Sequence, residues 1–192
     1  ANGGIGPGTL FHMAKEYGWS DNGNRPNPAE LERQRQAREA KAASEAEAFR
    51  QEQKRTAEIA AQLWQAAAPA NDNPYLERKG VKPTDTLRQI DAATASGIMG
   101  YAPMVKGEAL TGNLLLVPIK REGELVSAEL IGANGLKAAL YGPGTKAGGY
   151  WLTGKADAPA AILIGEGVAT ALSAHMATGT LAAAAFSNTN LK

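Results

Sequence analysis

Residues 29–68 contain neither glycine nor proline, and no other feature constrains the fold of this chain as much. Ala, Glu, Arg, Gln and Lys dominate the run, all strong helix formers, so one long helix is predicted over residues 28–68, stopped by Pro69. Its two halves differ. Between Leu31 and Phe49 there is no large apolar side chain, so that half has little to bury. Phe49, Thr56, Ile59, Ala60, Leu63 and Trp64 then fall on one stripe, which is predicted to dock on a globular body. Acids and bases interleave from Glu30 to Glu58, which favours i,i+4 ion pairs on a solvated surface and argues against a DNA-gripping arm. A spacer or a self-association helix is the expectation for this element.

The flanks must therefore supply the rest of the fold. At 192 residues and 44% apolar content, one domain with an extension is affordable in length and core. The formal charge is only +1, from 20 basic and 19 acidic residues, so any nucleic-acid site has to be a local patch. Zero cysteines exclude disulfides and thiolate zinc sites within these residues. No stretch has the apolar length of a membrane span, and no membrane partner is expected. The opening Ala1-Asn2-Gly3-Gly4 lacks an initiator Met and the layout of a signal peptide, and reads as a cut within a longer chain.

Before the long helix, the glycine-rich turn Gly3 to Gly8 leads into a short amphipathic helix predicted from Thr9, as N-cap, to about Tyr17, with Leu10, Met13, Ala14 and Tyr17 on one face. Asp21-Asn22-Gly23-Asn24 with Pro26 and Pro28 is loop chemistry. The turn lacks the Gly-Lys-Ser/Thr ending of a phosphate loop, so it is not read as one. After the long helix, Asn71-Asp72-Asn73-Pro74 breaks the pattern and Pro74 to Val81 reads as a short helix closed by Gly80. Strands are predicted at Ile98–Tyr101, Leu114–Ile119 and Leu125–Ile131, the last two joined by the polar turn Lys120-Arg121-Glu122-Gly123-Glu124. A glycine-rich basic segment follows, with Lys137, Lys146 and Lys155 and no acid between Glu129 and Asp157. Ala160–Ile164 and Leu181–Phe186 read as buried parallel strands around a helix over Val168–Ala177, with Leu172 inward. Two parallel strands do not complete a sheet, so the C-terminus also reads as a cut. The fold class predicted is α+β: a long N-terminal helix, a mixed and mainly antiparallel β subdomain, then a truncated α/β unit.

The sharpest chemical feature is Ile162-Leu163-Ile164-Gly165-Glu166-Gly167. It sets a carboxylate at the carboxyl end of a parallel strand, where open α/β sheets hold ligands, between two glycines that let the backbone turn. Glu166 there is either a magnesium ligand or acid/base group, or a carboxylate facing the N-terminus of the next helix. His12 and His175 have no partner at metal-ligand spacing and are read as surface or packing residues. Trp19, Trp64 and Trp151 are candidates for base stacking, with packing the expected role of each.

Taken together, the order of these pieces resembles the DNA primases of plasmids and phages. Leu163-Ile164-Gly165-Glu166-Gly167-Val168-Ala169-Thr170-Ala171-Leu172-Ser173-Ala174 is similar to the first motif of their Toprim domain. Ala182 to Leu191, ending in Asn190-Leu191, is similar to its second strand. Val117-Pro118-Ile119 with Leu125 to Ile131 resembles the paired strands of the primase basic subdomain, and Tyr150-Trp151-Leu152-Thr153-Gly154 the end of its lysine-bearing segment. Pro74 to Val81 resembles the Tyr-Leu-x-x-Lys-Gly start of that region, and Gly8 to Trp19 the closing helix of a small preceding domain. The resemblance covers residues 74–192, is weaker over 1–20 and is absent from the long helix.

It implies four parts: residues 1–26 as the tail of a preceding helical domain, 27–69 as a charged helical linker, 70–159 as the basic β subdomain, and 160–192 as the first half of a Toprim domain. It further implies that Glu166 is the catalytic glutamate beside Mg2+ (or Mn2+), and that Lys137 and Lys146 neutralise phosphates of template or nucleotide. Lys120, Arg121 and Lys155 are weaker candidates. The implied partners are a single-stranded DNA template, ribonucleotides and a helicase domain or replicative helicase, in a bacterial cytoplasm. Two departures matter. The Toprim Asp-x-Asp pair is missing, since no Asp follows Asp157, and zero cysteines leave no zinc module. No tightly bound metal and no priming by these residues alone are therefore expected. The competing expectations are a degenerate Toprim scaffold that holds single-stranded DNA without catalysis, and an interaction protein assembled through the long helix.

Overall fold

A computed structural model describes residues 5–19, 27–155 and 159–191. Gly3 and Gly4 of the glycine-rich turn, the predicted Asp21–Asn24 loop, Pro26 and Asp157 lie outside the described residues. The chain divides into two compact units, Ala1–Glu45 and Ala46–Lys192. The architecture is mixed α+β, and among the described residues no helix is long and apolar enough to cross a membrane.

The first unit holds helix α1 (Pro7–Glu16) and the start of helix α2 (Pro28–Ala66). Helix α1 begins two residues before the predicted Thr9 cap. Pro7 stands in its first turn, where a missing N–H costs nothing, and Gly6 is the N-cap. Its apolar residues Leu10, Phe11 and Met13 are exposed. The Asn27 side chain starts α2 by accepting from the amide of Ala29 (3.0 Å). Along its exposed half run the pairs Arg35–Glu32, Arg35–Glu39 and Lys41–Glu45 at i,i+3 and i,i+4, each contributing little on a solvated surface.

The second unit is built on sheets. Its remaining elements are β1 (Ala68–Pro69), α3 (Pro74–Lys79), β2 (Arg88–Asp91), α4 (Ala92–Met99), β3 (Met104–Val105), β4 (Glu108–Ala109), β5 (Asn113–Arg121), β6 (Glu124–Ile131), β7 (Lys137–Ala139), β8 (Trp151–Leu152), β9 (Leu163–Gly165), α5 (Val168–Thr178) and β10 (Ala182–Ala184), then a 3-10 turn Asn188–Leu191. A five-stranded antiparallel sheet runs β1-β2-β5-β6-β7, a three-stranded sheet β8-β10-β9, and β3 pairs with β4. The predicted hairpin is β5–β6, with Leu116 opposite Leu130 and Val117 opposite Glu129. Helix α3 is as predicted: Asn73 caps it by accepting from Tyr75 N, and Gly80 closes it in the left-handed region (φ 65°).

Alternation along β5 separates two cores. Leu114 and Leu116 pack with Ala60 and Leu63 of α2, while Leu115 and Val117 pack with Leu76 of α3, Trp151 of β8 and Leu172 of α5. The apolar half of α2 thus covers one face of the sheet, as its stripe predicts, although Phe49 remains half exposed.

Two strand predictions need correction. Ile98–Tyr101 is not a strand: Ile98 and Met99 end helix α4, and Gly100 caps it (φ 77°). Asp91 decides the matter, because its carboxylate accepts from Ala93 N (2.9 Å) and Thr94 N (3.2 Å) and starts a helix that buries Ala92, Ala95 and Met99. The Ala160–Ile164 strand is shorter and shifted to Leu163–Gly165, and it is an edge rather than a buried strand. Its Ile164 is 67% exposed. The parallel pairing itself holds, with Leu163 opposite Ala182 and Gly165 opposite Ala184. The second predicted strand, β10, is central and buried.

Replacing Leu63 with Ala should cost about 2–5 kcal/mol in urea unfolding, as a buried deletion that leaves a cavity. Leu31→Ala, on the half of α2 with no core to meet, should change stability by less than about 0.5 kcal/mol. Equal losses would contradict this division of the helix.

Candidate functional site

A cleft of about 290 Å³ opens where β9 ends, lined by Glu129, Lys137, Lys146, Glu166, Gly167, Thr170 and Phe186. The three residues singled out from sequence, Glu166, Lys137 and Lys146, come together here from three separate segments. Glu166 directly follows β9 and is held by its neighbour strand, its carbonyl accepting from Phe186 N (2.8 Å) while that of Gly165 accepts from Ala185 N (2.9 Å). Its carboxylate takes no hydrogen bond from the described residues, the amides that open α5 included. Lys137 starts β7 at the sheet edge, and its ammonium lies so close to Gly167 that a Cβ there would stand 3.6 Å from Nζ. The N-terminus of α5 adds the partial positive charge of its free amides.

Glu129 is a site residue that sequence reasoning did not mark. It sits mid-strand in β6, 2% exposed, and forms an ion pair with Lys146. A carboxylate in the buried run Ser127-Ala128-Glu129-Leu130-Ile131 cannot persist without a cation, and that was the available signal. Beside it the Tyr75 phenol is pushed up from its ordinary value, first by burial and then by the charge of Glu129, against the opposing Arg78 guanidinium. Lys146 is therefore not a free surface lysine. It lines the cleft with a side chain 33% exposed, while its charge already has a partner.

Asn190 fixes the loop that carries Lys146. Its side-chain nitrogen faces the carbonyls of Lys146 (2.7 Å), Ala185 (2.8 Å) and Gly149 (3.2 Å), and its oxygen accepts from Gly148 N (3.1 Å). Gly149 is required for the close approach, since a Cβ would meet Ile119 at 2.5 Å and the Lys146 carbonyl at 3.2 Å. Phe186 lines the cleft with φ 60°, a left-handed conformation that costs a non-glycine residue about 1–3 kcal/mol and that concentrates at functional sites.

The remaining candidates lie elsewhere. Lys120 and Lys155 line a different cleft. Arg121 is spent on the carbonyls of Gly144 (2.8 Å) and Ala147 (3.0 Å). Trp151 is buried, Trp64 is half buried against the α2-side core, and Trp19 packs on Phe11 with ring centroids 5.8 Å apart. His12 sits 3.7 Å from Glu16 on an exposed helix, and His175 Nδ1 donates to the Thr180 carbonyl (2.8 Å).

With Glu129 committed to Lys146, Glu166 is the carboxylate of the cleft that has no partner among the described residues, and two lysines line the cleft with it. That donor set does not fit Mg2+, which needs near-octahedral oxygen ligation. Among the described residues no group of three His, Cys, Asp or Glu converges to hold a metal ion. The arrangement suits an anion with several oxygens, held between Lys137, the exposed part of Lys146 and the start of α5. No family model matches the chain, and no solved structure matches it.

Lys146→Ala should cost about 3 kcal/mol in urea unfolding by stranding a buried carboxylate, and adding Glu129→Gln should recover part of that. Lys137→Ala should cost less than about 0.5 kcal/mol. A harmless Lys146→Ala would contradict the buried pair. The raised Tyr75 pKa stabilises the fold fully below about pH 10, and that contribution is lost as pH rises through the folded value. Tyr75→Phe should therefore flatten the alkaline fall in stability, leaving the part due to Tyr101, which burial also pushes up.

Proposed function

We propose that this chain is the basic and Toprim-like segment of a DNA primase, and that its Lys137–Lys146–Glu166 cleft grips phosphates of a single-stranded template or incoming ribonucleotide. The observation that carries the reading is the convergence of those three residues at the carboxyl end of a parallel strand pair. In a primase this is where template or nucleotide phosphates and the transferring group must be aligned. Lys137 supplies an ammonium with no partner among the described residues, Lys146 one already paired with Glu129 and partly exposed, and Asn190 holds the loop that carries Lys146. Primer synthesis would require carboxylates beyond Glu166 to hold magnesium or manganese, so these residues by themselves are proposed to be inactive. Ribonucleotides and a helicase as partners, and a bacterial cytoplasmic setting, belong to the same proposal.

A second reading has its own support. One carboxylate without a partner among the described residues, lining a cleft with two lysines, is closer to the donor set of a phosphate clamp than to that of a metal centre, which favours a non-catalytic Toprim-like scaffold that binds single-stranded DNA.

Fluorescence anisotropy of labelled single-stranded DNA, titrated with the protein over a range of salt, tests what both readings share. Binding should weaken with salt, and Lys137→Ala should reduce the slope of log affinity on log salt by about 0.7 without altering stability. Glu166→Gln should leave DNA binding unchanged or tighter, because it removes a negative charge facing phosphate. No binding at low salt, or a slope indifferent to Lys137, would sink both. Primer synthesis with metal and nucleotides by this chain alone would instead reject the inactivity proposed here.

A further inference from the structure

Another cleft in the second unit, of about 640 Å³, is distinct from the one around Glu166. Pro118 and Lys120 contribute to it from β5, and Pro118 alternates with Val117, which places the cleft on the α2 side of the sheet, whereas Glu129, opposite Val117, lies on the other. Its volume falls within the range of about 300–1,000 Å³ usual for small-ligand pockets.

The walls are aromatic and fixed. Trp64 is pinned by Arg88, whose guanidinium lies 4.6 Å from the ring centroid while donating to the carbonyls of Trp64 (2.7 Å) and Ala67 (3.2 Å). Tyr150 is tied to Lys120 by two backbone hydrogen bonds of 2.9 Å, and its hydroxyl accepts from Gly123 N (3.2 Å). Behind them Trp151 Nε1 donates to the Thr86 carbonyl (3.1 Å), and the Thr86 hydroxyl donates to that of Leu152 (2.8 Å). Three charged groups on this wall have no partner among the described residues: the ammoniums of Lys120 and Lys155 and the carboxylate of Asp85.

We infer that this cleft is a nucleotide site, in which a base lies against Trp64 and Tyr150 and its phosphate is met by Lys120 and Lys155. The match is chemical. An acidic peptide would use the lysines and leave the aromatic wall idle, and a purely apolar ligand would do the reverse. A nucleotide uses both, and its ring N–H or amino groups find an acceptor in Asp85. The inference stands on these residues and does not depend on the Glu166 cleft. The occupant is either a free nucleotide or one nucleotide within a single strand.

Photocrosslinking separates those sources. The full chain is irradiated with 5-iodo-deoxyuridine monophosphate, and separately with an oligo(dT) carrying one 5-iodouracil, and crosslinked peptides are mapped by mass spectrometry. Crosslinks at Trp64 or Tyr150 are expected from at least one probe. The free probe identifies a nucleotide pocket, and the oligonucleotide alone identifies a position along a strand. Lys120→Gln/Lys155→Gln should lower the yield at these rings at least about tenfold at low salt, since two phosphate contacts are lost, while Lys41→Gln, on the exposed half of α2 and outside both clefts, should leave it intact. No crosslink at either ring from either probe would overturn the inference, as would a yield indifferent to the double lysine variant. If binding that depends on Lys137 persisted in that case, the Glu166 cleft would still stand.

Discussion

A carboxylate buried in the middle of a β-strand must be matched by a cation, and most of the candidate site follows from how this chain meets that demand. Glu129 occupies β6 where its neighbours Ala128 and Leu130 are core residues, and Lys146 is brought over the sheet to pair with it. Lys146 lies in no strand or helix, so the glycine-rich loop has to be drawn down and fastened. Gly149 permits the approach and Asn190 fastens it, reaching across from the turn after β10. The same Asn190 touches the Ala185 carbonyl, so the end of the parallel pair and the lysine loop are set by one side chain. The position of Lys146 relative to Glu166 is thereby a consequence of packing rather than of a flexible surface.

The five-stranded sheet separates this arrangement from a second one. On the Glu129 face the groups are charged and the cleft is small; on the α2 face the groups are aromatic with charges at the rim and the cleft is large. Helix α2 contributes to the second through Trp64, the last residue of the apolar stripe that docks it. A helix whose first half buries nothing is thus anchored through its last turns, and those turns also furnish a wall of the larger cleft.

Much of the backbone was legible in the sequence, and the failures have identifiable causes. The absence of Gly and Pro over residues 29–68, the polar turn between two apolar runs, and a glycine at the close of α3 each point to one local structure with no competitor. Ile98–Tyr101 failed because a four-residue apolar run has no usable period, and the deciding signal, Asp91 as an N-cap, lay seven residues upstream. The edge position of β9 was hidden for a different reason: an apolar strand reads as buried, and Ile164 is nonetheless exposed. Glu166, Lys137 and Lys146 could be singled out by type and context. That Lys146 is already paired was not readable, because its partner is a long-range choice made by the fold.

The central claim is that Glu166, Lys137 and the Lys146 loop form one site that takes a phosphate-bearing strand. Two-dimensional 1H–15N NMR of the protein titrated with a short single-stranded oligonucleotide at low salt tests it most directly. The account predicts that shifts concentrate on the amides of Lys137, Gly165 to Thr170 and Lys146 to Gly149, apart from any at the second cleft. Shifts that leave all three segments unmoved while the oligonucleotide binds would contradict it.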